Sequence, residues 1–404
     1  MEKRIRPKEF PRGFLWGSAA AAHQVEGNNT SSDWWDWEQK GGTSPSGVAC
    51  DHYHRFEEDF KSAKSLNQNA HRFSIEWARI EPREGEWDKE AVRHYHRVLD
   101  SLKANGLTSF MTLHHVTLPL WFSQRGGFEN SSNIKYFERF ARFCAEEFGR
   151  KVDFWATVNE PLNYVWAAYA AGLWPPQKRK GLAAIGVYLN LIRAHNKAYS
   201  AIKDILPEAK VGPVLSTTAV HYHGGNPFLS FIARVVEVLH NRSFLLLTRR
   251  QFDFIGVNYY FRHDISFKDL SVEVSKKLAE QIILIEGKDH GFTSYPKGIY
   301  EVLVKLKKYR RPVYITENGV PDAKDELRKE FIKKHLFWVH RALQEGVDVK
   351  GYFYWSLTDN FEWIFGFRPR FGLIEVDYRT QKRTVRKSAR FYARVCKENA
   401  IPDD

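Results

Sequence analysis

The chain has few of the features that mark secreted, membrane-spanning or metal-knuckle proteins. Its 404 residues include three cysteines, Cys50, Cys144 and Cys396, whose odd number and wide spacing argue against a disulfide framework and a CxxC metal site. No apolar run approaches the ~20 residues of a membrane-spanning helix, and the first residues are charged, unlike the apolar core of a secretory signal. We therefore expect a reducing, cytoplasmic environment.

Phosphate-binding loops and flexible linkers are also lacking. Neither a Walker motif nor a GxGxxG motif occurs in a strand-turn-helix setting, and the expected chemistry requires no cofactor. No stretch rich in proline, glycine and serine divides the chain, so residues 1–404 are expected to form a single domain.

The formal net charge of +13 raises the question of whether the protein binds a polyanion such as nucleic acid or an anionic membrane. Positive charge occurs in short, interrupted clusters, such as KKYRR at 307–311 and QKRTVRK at 381–387, beside helix-like segments. Solvated basic helix faces explain such clusters, and net charge bears on solubility and non-specific binding rather than on fold. We expect neither nucleic acid nor a membrane as a partner, and the oligomeric state stays open.

What the chain does contain is a regular alternation of short β-rich runs and longer amphipathic segments. Eight runs predict strands at residues 14–20, 71–77, 109–115, 154–160, 211–216, 252–260, 313–317 and 351–357. Helical spacing of apolar residues predicts helices at 88–105, 133–148, 183–205, 227–247, 296–309, 325–344 and 387–397. This order predicts an α/β protein built as a single (β/α)8 TIM barrel, whose usual ~250 residues grow with loop insertions.

Polar residues stand where several of these strands end. PVYITENGV, at 312–320, ends its apolar run with Glu317, and FWATVNEP, at 154–161, ends with Asn159 and Glu160. In such a barrel the carboxyl ends of all strands meet at one face, where active sites lie. The other polar residues expected at this face are Arg72, His114, His115, Asn258, Tyr259 and Tyr260.

Two carboxyl groups in an aromatic-lined pocket are the minimum apparatus for cleaving a glycosidic bond. One protonates the departing oxygen, while the other stabilises or bonds to the anomeric carbon. Aromatic residues make up 15% of the chain and include 13 tryptophans, whose flat faces suit stacking on sugar rings. Glu160 and Glu317 are the candidate pair, and a separation of about 5–5.5 Å would indicate retention, about 6.5–9.5 Å inversion.

Two segments, TVNEP at 157–161 and ITENG at 315–319, resemble the signature motifs of glycoside hydrolase family 1, the retaining β-glucosidases and β-galactosidases. The resemblance continues through FLWGSAAAAHQVEG, ACDHYHRFEEDF, HRFSIEWARIEP, TLHHVTLP, DFIGVNYY, WSLTDNFEW and RFGLIEVDYRTQKRT. These segments follow the family's order and cover almost the whole chain. The family's fold is the barrel that the strand and helix pattern predicts independently.

The resemblance implies a role for each carboxyl group. By motif, Glu317 corresponds to the nucleophile, which forms a covalent glycosyl-enzyme intermediate, and Glu160 to the general acid/base. These roles need opposite tuning, with the pKa of Glu160 raised and Glu317 ionised beforehand. Arg72, Asn258 and Tyr260 match positions that support the nucleophile, since a cation and a phenol donor favour the charged form. For Arg72 the alternative is a structural ion pair.

The resemblance also implies a pocket for the terminal sugar of a small β-glycoside or short oligosaccharide. The hydroxyl-binding positions are Gln24, His115, Asn159 and Glu362, and the stacking positions are Trp355 and Trp363. Glu362 argues against a phosphorylated sugar, because a carboxylate repels phosphate and the 6-phospho-glycosidase branch replaces this acid. The expected activity is an exo-acting, β-glucosidase-like hydrolysis of β-D-glucosides, with β-D-galactosides and β-D-fucosides as further candidates, that uses no metal or other cofactor.

Two positions depart from the family pattern. Val116 follows His115 where many members have tryptophan, so one aromatic wall of the sugar site is expected to be missing. Phe292 lies where a tryptophan often contacts the aglycone. The glycone, the natural aglycone and the effect of these two replacements stay open.

Three other functions compete with this interpretation. A metal site could use His52 and His54 with His114 and His115, but two histidines one residue apart do not supply the three or four convergent ligands of a zinc site. A sugar-binding protein without turnover would normally have lost one carboxyl group, and both are present. A transglycosidase would share every catalytic residue and differ only in how it binds the acceptor.

Overall fold

The computed structural model describes residues 8–222, 225–265 and 294–402, and its centre is a closed barrel. Eight parallel strands pair in chain order, and the last pairs with the first. Numbered β1 to β8, they are Leu15–Ala19, Ala70–Ser74, Thr108–His114, Phe154–Asn159, Lys210–Tyr222, Ile255–Ile265, Val313–Asn318 and Val349–Trp355. The predicted (β/α)8 barrel is confirmed, and each strand overlaps the run that predicted it.

Eight main helices, numbered α1 to α8, alternate with the strands. They are His52–Ser65, Lys89–Ala104, Ile134–Phe148, Gly181–Ile205, Pro227–Asn241, Pro296–Leu306, Arg328–Gln344 and Lys387–Glu398. The sequence predicted all of them except α1, whose buried positions include His52 and Asp59, so its apolar periodicity is weak. The helix predicted at 227–247 is interrupted at Arg242 and continues as the short helix Ser243–Leu247.

Shorter elements complete the described chain. The short helices are Ala22–Val25, Asp33–Gln39, Trp77–Ile80, Leu120–Gln124 and Pro161–Val165, which runs into a π-helical turn at Trp166–Ala170. Single 3-10 turns lie at Gly127–Glu129, Ser131–Asn133, Gly149–Lys151, Lys307–Tyr309 and Trp363–Phe365. Two antiparallel pairs join Lys8–Glu9 with Ala400–Ile401, and Ile374–Asp377 with Lys382–Val385.

Aromatic side chains fill the interior of the barrel. Phe110 and Phe154 stack with ring centroids 5.2 Å apart and belong to a buried cluster that also contains Phe254, Tyr314 and Phe353. Because neighbouring residues of a strand face opposite sides, the adjacent Met111 and Trp155 pack outward in the main core. The interior of the barrel is therefore filled with side chains. A ligand can bind only above this cluster, at the carboxyl ends of the strands.

Two sequence features that concern compartment and membranes can be compared with the structure. Cys50, Cys144 and Cys396 are buried free thiols. Within the described ranges, no helix is both long enough and apolar enough to cross a bilayer.

Candidate active site

Glu317 lies near the end of β7, within reach of two strong hydrogen-bond donors. Its Oε1 accepts a hydrogen bond of 2.6 Å from an Arg72 guanidinium nitrogen, and its Oε2 accepts one of 2.7 Å from the Tyr260 hydroxyl. Burial raises the pKa of Glu317 above its ordinary value, and Arg72 and Tyr260 oppose that rise. A cation and a phenol thus contact the two carboxyl oxygens, and both donors favour the charged form of Glu317.

Glu160 directly follows β4, and the hydrogen-bond partners of its carboxyl group are neutral. Its φ of 47° lies in the left-handed region that non-glycine residues rarely adopt, and Pro161 begins the next helix. Its two carboxyl oxygens accept hydrogen bonds of 2.9 Å from the side-chain amides of Asn258 and Asn163. Burial, reinforced by the charge of Glu317, raises the pKa of Glu160 to about 7.

Side-chain amides connect the two carboxyl groups. Arg72 donates to Asn159 Oδ1 at 2.7 Å, and this same oxygen accepts a hydrogen bond of 3.2 Å from Asn258. Asn258 in turn donates to Glu160. Glu317 and Glu160 therefore belong to one hydrogen-bonded network across the carboxyl face of the barrel. Burial raises the pKa of both Glu160 and Glu317. The expected difference between their protonation states therefore depends on their partners, which are a cation and a phenol for Glu317 and two amides for Glu160.

The predicted sugar-binding residues from β8 and its following loop form a second group. Glu362 accepts hydrogen bonds from Trp355 Nε1 at 3.0 Å and from Gln24 Nε2 at 3.3 Å. Burial raises the pKa of Glu362 to about 7. Gln24 Nε2 also donates to Asn360 Oδ1 at 2.9 Å, whereas Gln24 Oε1 is buried without a partner among the described residues. That oxygen is an unused acceptor beside the tryptophans.

His115 supplies an unused donor. Asn159 Nδ2 donates to His115 Nε2 at 3.2 Å, so the imidazole proton lies on Nδ1, which is buried and has no partner in the described part of the chain. Burial, aided by the charge of Arg72, holds the pKa of His115 well below its ordinary value and keeps the ring neutral. The ring lies near those of Trp355 and Trp363, with centroids 6.1 and 6.3 Å away.

Not every polar residue predicted at this face lies there. The His114 ring packs among Phe128, Phe137 and Tyr164 in the outer core, and burial lowers its pKa to about 3. Its expected place at the active face is therefore wrong, because β3 presents alternate residues to opposite sides. Tyr259 likewise faces outward and donates to the carbonyl oxygen of Tyr295.

The histidines weighed for a metal site have other partners. His52 contacts Asp59 and His54 contacts Asp51, each at 2.7 Å, on and beside α1. Over residues 8–222, 225–265 and 294–402, no three histidine, cysteine, aspartate or glutamate side chains are grouped so that they could hold a metal ion.

The structure also identifies neighbours that the sequence did not. Asn163 contacts Glu160 from the first turn of the helix after it, a spacing of three residues that could have been noticed. Trp34 and Trp174 pack against Trp363, with ring centroids 4.6 and 5.8 Å away. No local pattern signals these two contacts, because Trp34, Trp174 and Trp363 are far apart in the sequence.

The two departures from the family pattern have different outcomes. Val116 is buried in the main core, with a φ of 74°, which is unusual for a β-branched residue. Aromatic rings do surround Trp363, so the loss of a tryptophan at position 116 does not leave this side of the pocket without aromatic residues. Phe292 lies outside the described residues.

The class of protein follows from the chemistry that this face allows. One carboxyl group bonded to a guanidinium and a phenol, and a second whose pKa is raised to about 7, meet the requirements of glycosidic bond cleavage. Tryptophans and hydrogen-bonding groups without a partner among the described residues lie at the same face. Fold and site together define a glycoside hydrolase. The family model of glycosyl hydrolase family 1 matches residues 6–227 and 236–401, and the chain belongs to that family.

Relatives and solved structures agree with this assignment over the full length of the chain. Beta-glucosidase A of Thermotoga maritima is 33% identical, with 98% of this chain and 99% of the relative aligned. The structure of a beta-glycosidase from Pyrococcus horikoshii is 38% identical and superposes with a TM-score of 0.89, covering 98% of this chain and 97% of the other. A Thermotoga maritima beta-glucosidase in complex with glucoimidazole is 31% identical, with a TM-score of 0.88 and coverages of 97% and 100%.

The raised pKa of Glu362 predicts a pH-dependent stability. A carboxyl group whose folded pKa is about 7, against an ordinary value of 4.5, binds its proton more tightly in the folded state, so stability falls as pH rises between these values. We expect Glu362→Gln to reduce the loss of unfolding free energy between pH 5 and pH 8 by about 2 kcal/mol. Urea unfolding at pH 5 and pH 8, followed by tryptophan fluorescence, measures the unfolding free energy of each protein.

Glu375→Gln is the matched control, because Glu375 is an exposed strand residue. It should leave the pH dependence of the wild-type protein unchanged. A Glu362→Gln variant whose stability varies with pH as the wild type's does would contradict the assignment.

Proposed function

We propose that the protein is a retaining, exo-acting β-glycosidase of the β-glucosidase type, which hydrolyses β-D-glucosides by double displacement. β-D-galactosides and β-D-fucosides are the alternative glycones for the same pocket. The observation that carries the proposal is the contrast between Glu317, bonded to a guanidinium and a phenol, and Glu160, bonded to two amides. The names of the relatives, beta-glucosidases and a beta-glycosidase, support the substrate class.

In the first step, the Glu317 carboxylate attacks the anomeric carbon while Glu160 gives its proton to the departing oxygen. The bond to the aglycone breaks, and an ester joins the sugar to Glu317. A pKa near 7 lets Glu160 hold this proton in neutral solution. Arg72 and Tyr260 favour the anionic form of Glu317 before attack and accept it back as a leaving group afterwards.

In the second step, Glu160 acts in the opposite direction. Once the aglycone has left with its proton, the Glu160 carboxylate removes a proton from a water molecule, which attacks the anomeric carbon and releases Glu317. Because the configuration inverts twice, the product has the β configuration of the substrate.

The sugar-binding roles follow from the unused hydrogen-bonding groups. His115 Nδ1 offers a hydrogen-bond donor and Gln24 Oε1 an acceptor. The Glu362 carboxyl group accepts hydrogen bonds from Trp355 and Gln24 and has further lone pairs that can accept from hydroxyl groups. Exo action belongs to the same proposal and is supported by the beta-glucosidases among the relatives. The buried acid also disfavours a phosphorylated sugar.

Two broader assignments belong to the same proposal. The pairing of Lys8–Glu9 with Ala400–Ile401 joins the two ends of the described chain and supports a single domain. Three buried free thiols, Cys50, Cys144 and Cys396, suit a reducing cytoplasm.

The stereochemistry of the reaction tests the proposal directly. Proton NMR of nitrophenyl β-D-glucoside hydrolysis should show β-D-glucose as the first product, followed by slow mutarotation to the α anomer. First appearance of α-D-glucose would mean a single displacement and exclude Glu317 as a nucleophile. With an added alcohol, glucose should remain the main product; a predominance of alkyl glucoside would identify a transglycosidase instead.

Replacement of the nucleophile should abolish turnover without unfolding the protein. We expect Glu317→Gln to lower kcat for nitrophenyl β-D-glucoside by at least about 10⁴-fold, because the covalent step is lost. Circular dichroism should show an unchanged fold, and Glu375→Gln should retain wild-type kcat. An unchanged rate in Glu317→Gln would remove this residue from the mechanism.

The proton held by Glu160 should be visible in the pH profile. Since Glu160 acts first as an acid, kcat/KM should fall as pH rises through about 7, and it should fall on the acid side as Glu317 becomes protonated. Glu160→Gln should remove the basic limb. It should also lower kcat/KM for an alkyl glucoside by roughly 10²–10⁴-fold, but far less for a nitrophenyl glucoside, whose leaving group needs no proton.

Profiles of kcat/KM between pH 4 and pH 9 on both substrates provide the measurement. Asn163→Asp is a useful companion, because it adds a charge beside Glu160 and should move the basic limb to higher pH. A basic limb that persists in Glu160→Gln would assign it to another group.

A further inference from the structure

One stretch of the surface, outside the active site, is unusually apolar. Among the described residues, nine of the twelve exposed large hydrophobic side chains lie between positions 182 and 247. The six most exposed of these nine are Leu182, Ile185, Phe228, Phe231, Leu239 and Leu246, with exposed fractions from 54% to 87%. We refer to these six as the apolar surface. Exposed apolar residues are ordinary singly, whereas a concentration of them marks an interaction site.

The apolar surface spans helices that pack against one another. Tyr188 of α4 contacts the helix Ser243–Leu247, with a hydrogen bond of 2.6 Å to Ser243 and ring centroids 6.0 Å from Phe244. Leu182 and Ile185 precede Tyr188 on α4, and Leu246 follows Phe244. The exposed residues of the two helices therefore belong to neighbouring parts of one surface.

Helix α5 is apolar on two sides. Its inner side packs Leu229 and Ala233 against Ile265 of β6, while Phe228 and Phe231 face solvent. The strands beneath it, β5 and β6, remain paired as far as Tyr222 and Ile265, beyond the length of the other barrel strands. A helix that is apolar on its outer side as well as its inner side typically contacts apolar material on both sides.

Positive charge is concentrated in the same stretch. Residues 178–250 contain eleven lysines and arginines against three aspartates and glutamates, a net charge of +8 out of +13 for the chain. Of the three acids, Glu237 is buried and paired with Arg242. Most of the net positive charge therefore lies between residues 178 and 250, outside the two short clusters at 307–311 and 381–387.

The exposed cations of this stretch have their charges available. In the described parts of the chain, no ion pair involves Arg179, Lys180, Arg234, Arg249 or Arg250, all of which are exposed. Arg179 and Lys180 immediately precede α4, and Arg249 and Arg250 follow the helix that carries Leu246. Cations thus border the apolar surface at both ends of its sequence.

We propose that the apolar surface and its bordering cations dock the protein on the surface of an anionic lipid bilayer. Apolar side chains enter the boundary between headgroups and acyl chains, while lysine and arginine interact with anionic headgroups. Nucleic acid would use the cations but leave the phenylalanines and leucines in water. A second copy of the chain would bring a net charge of +8 against another +8.

This attachment is peripheral and replaces the expectation that no membrane is a partner. Helices α4 and α5 follow β4 and β5, so they begin at the carboxyl face of the barrel, where Glu160 lies. The apolar surface extends from these helix starts to Leu246, which lies shortly before β6, so a docked molecule would hold the side of the barrel that carries α4 and α5 against the bilayer. The proposal goes beyond the glycosidase activity and does not depend on it.

Co-sedimentation with vesicles tests the proposal on the full chain. The wild-type protein should bind phosphatidylglycerol vesicles at low salt, bind phosphatidylcholine vesicles weakly, and lose binding as salt rises. The double variant F228S/F231S should bind phosphatidylglycerol vesicles at least about tenfold more weakly, because two apolar side chains no longer enter the bilayer. The double variant R249Q/R250Q should bind more weakly and with a smaller dependence on salt.

Leu327→Ser is the matched control, since Leu327 is 62% exposed but lies at the start of α7. It should bind vesicles as the wild type does. All variants should hydrolyse a nitrophenyl glycoside in solution at the wild-type rate, which shows that they are folded.

Three outcomes would overturn the proposal. The first is no vesicle binding by the wild type at low salt. The second is a vesicle affinity that falls equally in Leu327→Ser and F228S/F231S, which would mean that the apolar surface has no special role. An unchanged vesicle affinity in F228S/F231S would overturn the proposal too, because it would assign binding to net charge alone. The third is light scattering that shows a wild-type dimer which F228S/F231S dissociates, without vesicle binding, since the apolar surface would then join two copies.

Discussion

The bond between the Arg72 guanidinium and the Glu317 carboxylate is the interaction on which the catalytic face depends. Arg72 is 1% exposed, and a charge so deeply buried is tolerated only with a partner of opposite sign and further acceptors. It finds them in Glu317, Asn159 and Thr112. The same contacts that satisfy Arg72 orient Glu317 and begin the chain of amides that leads to Glu160. The ion pair that satisfies Arg72 and the support proposed for Glu317 therefore use the same contacts.

The barrel makes this arrangement possible because it brings residues from distant parts of the chain to one face. The aromatic floor around Phe110 fills the interior and leaves the polar residues at the strand ends as the accessible ones. Backbone constraints fix some of them. Glu160 has a left-handed conformation, and a Cβ at Gly319 would clash with the carbonyl oxygen of Trp355, which explains why glycine follows the Glu-Asn pair on β7. Glu160 thus has an unusual backbone conformation, and the backbone just after Glu317 lies close to that of Trp355.

Much of the fold and the main features of the site were predictable, and the errors have physical causes. Strands emerged from apolar β-branched runs and seven of the eight main helices from apolar periodicity, but α1 was missed because it buries His52 and Asp59 as a polar pair. His114 was misplaced because adjacent residues at the end of a strand face opposite sides. The concentration of charge between 178 and 250 escaped a search for short basic clusters, because its cations are spaced along helices and separated by apolar residues.

The order of strands and helices, the residues that end the strands, and the family could all be read from the sequence, since local patterns and motifs record them. Which side chains meet became visible only in the folded chain: Asn258 lies between the two carboxyl groups, and Trp34 and Trp174 lie around Trp363. The same is true of His115 Nδ1 and Gln24 Oε1, which have no partner among the described residues. The physical reason is that hydrogen bonds and ring contacts act over a few ångströms in space. Barrel closure, not sequence separation, sets those distances.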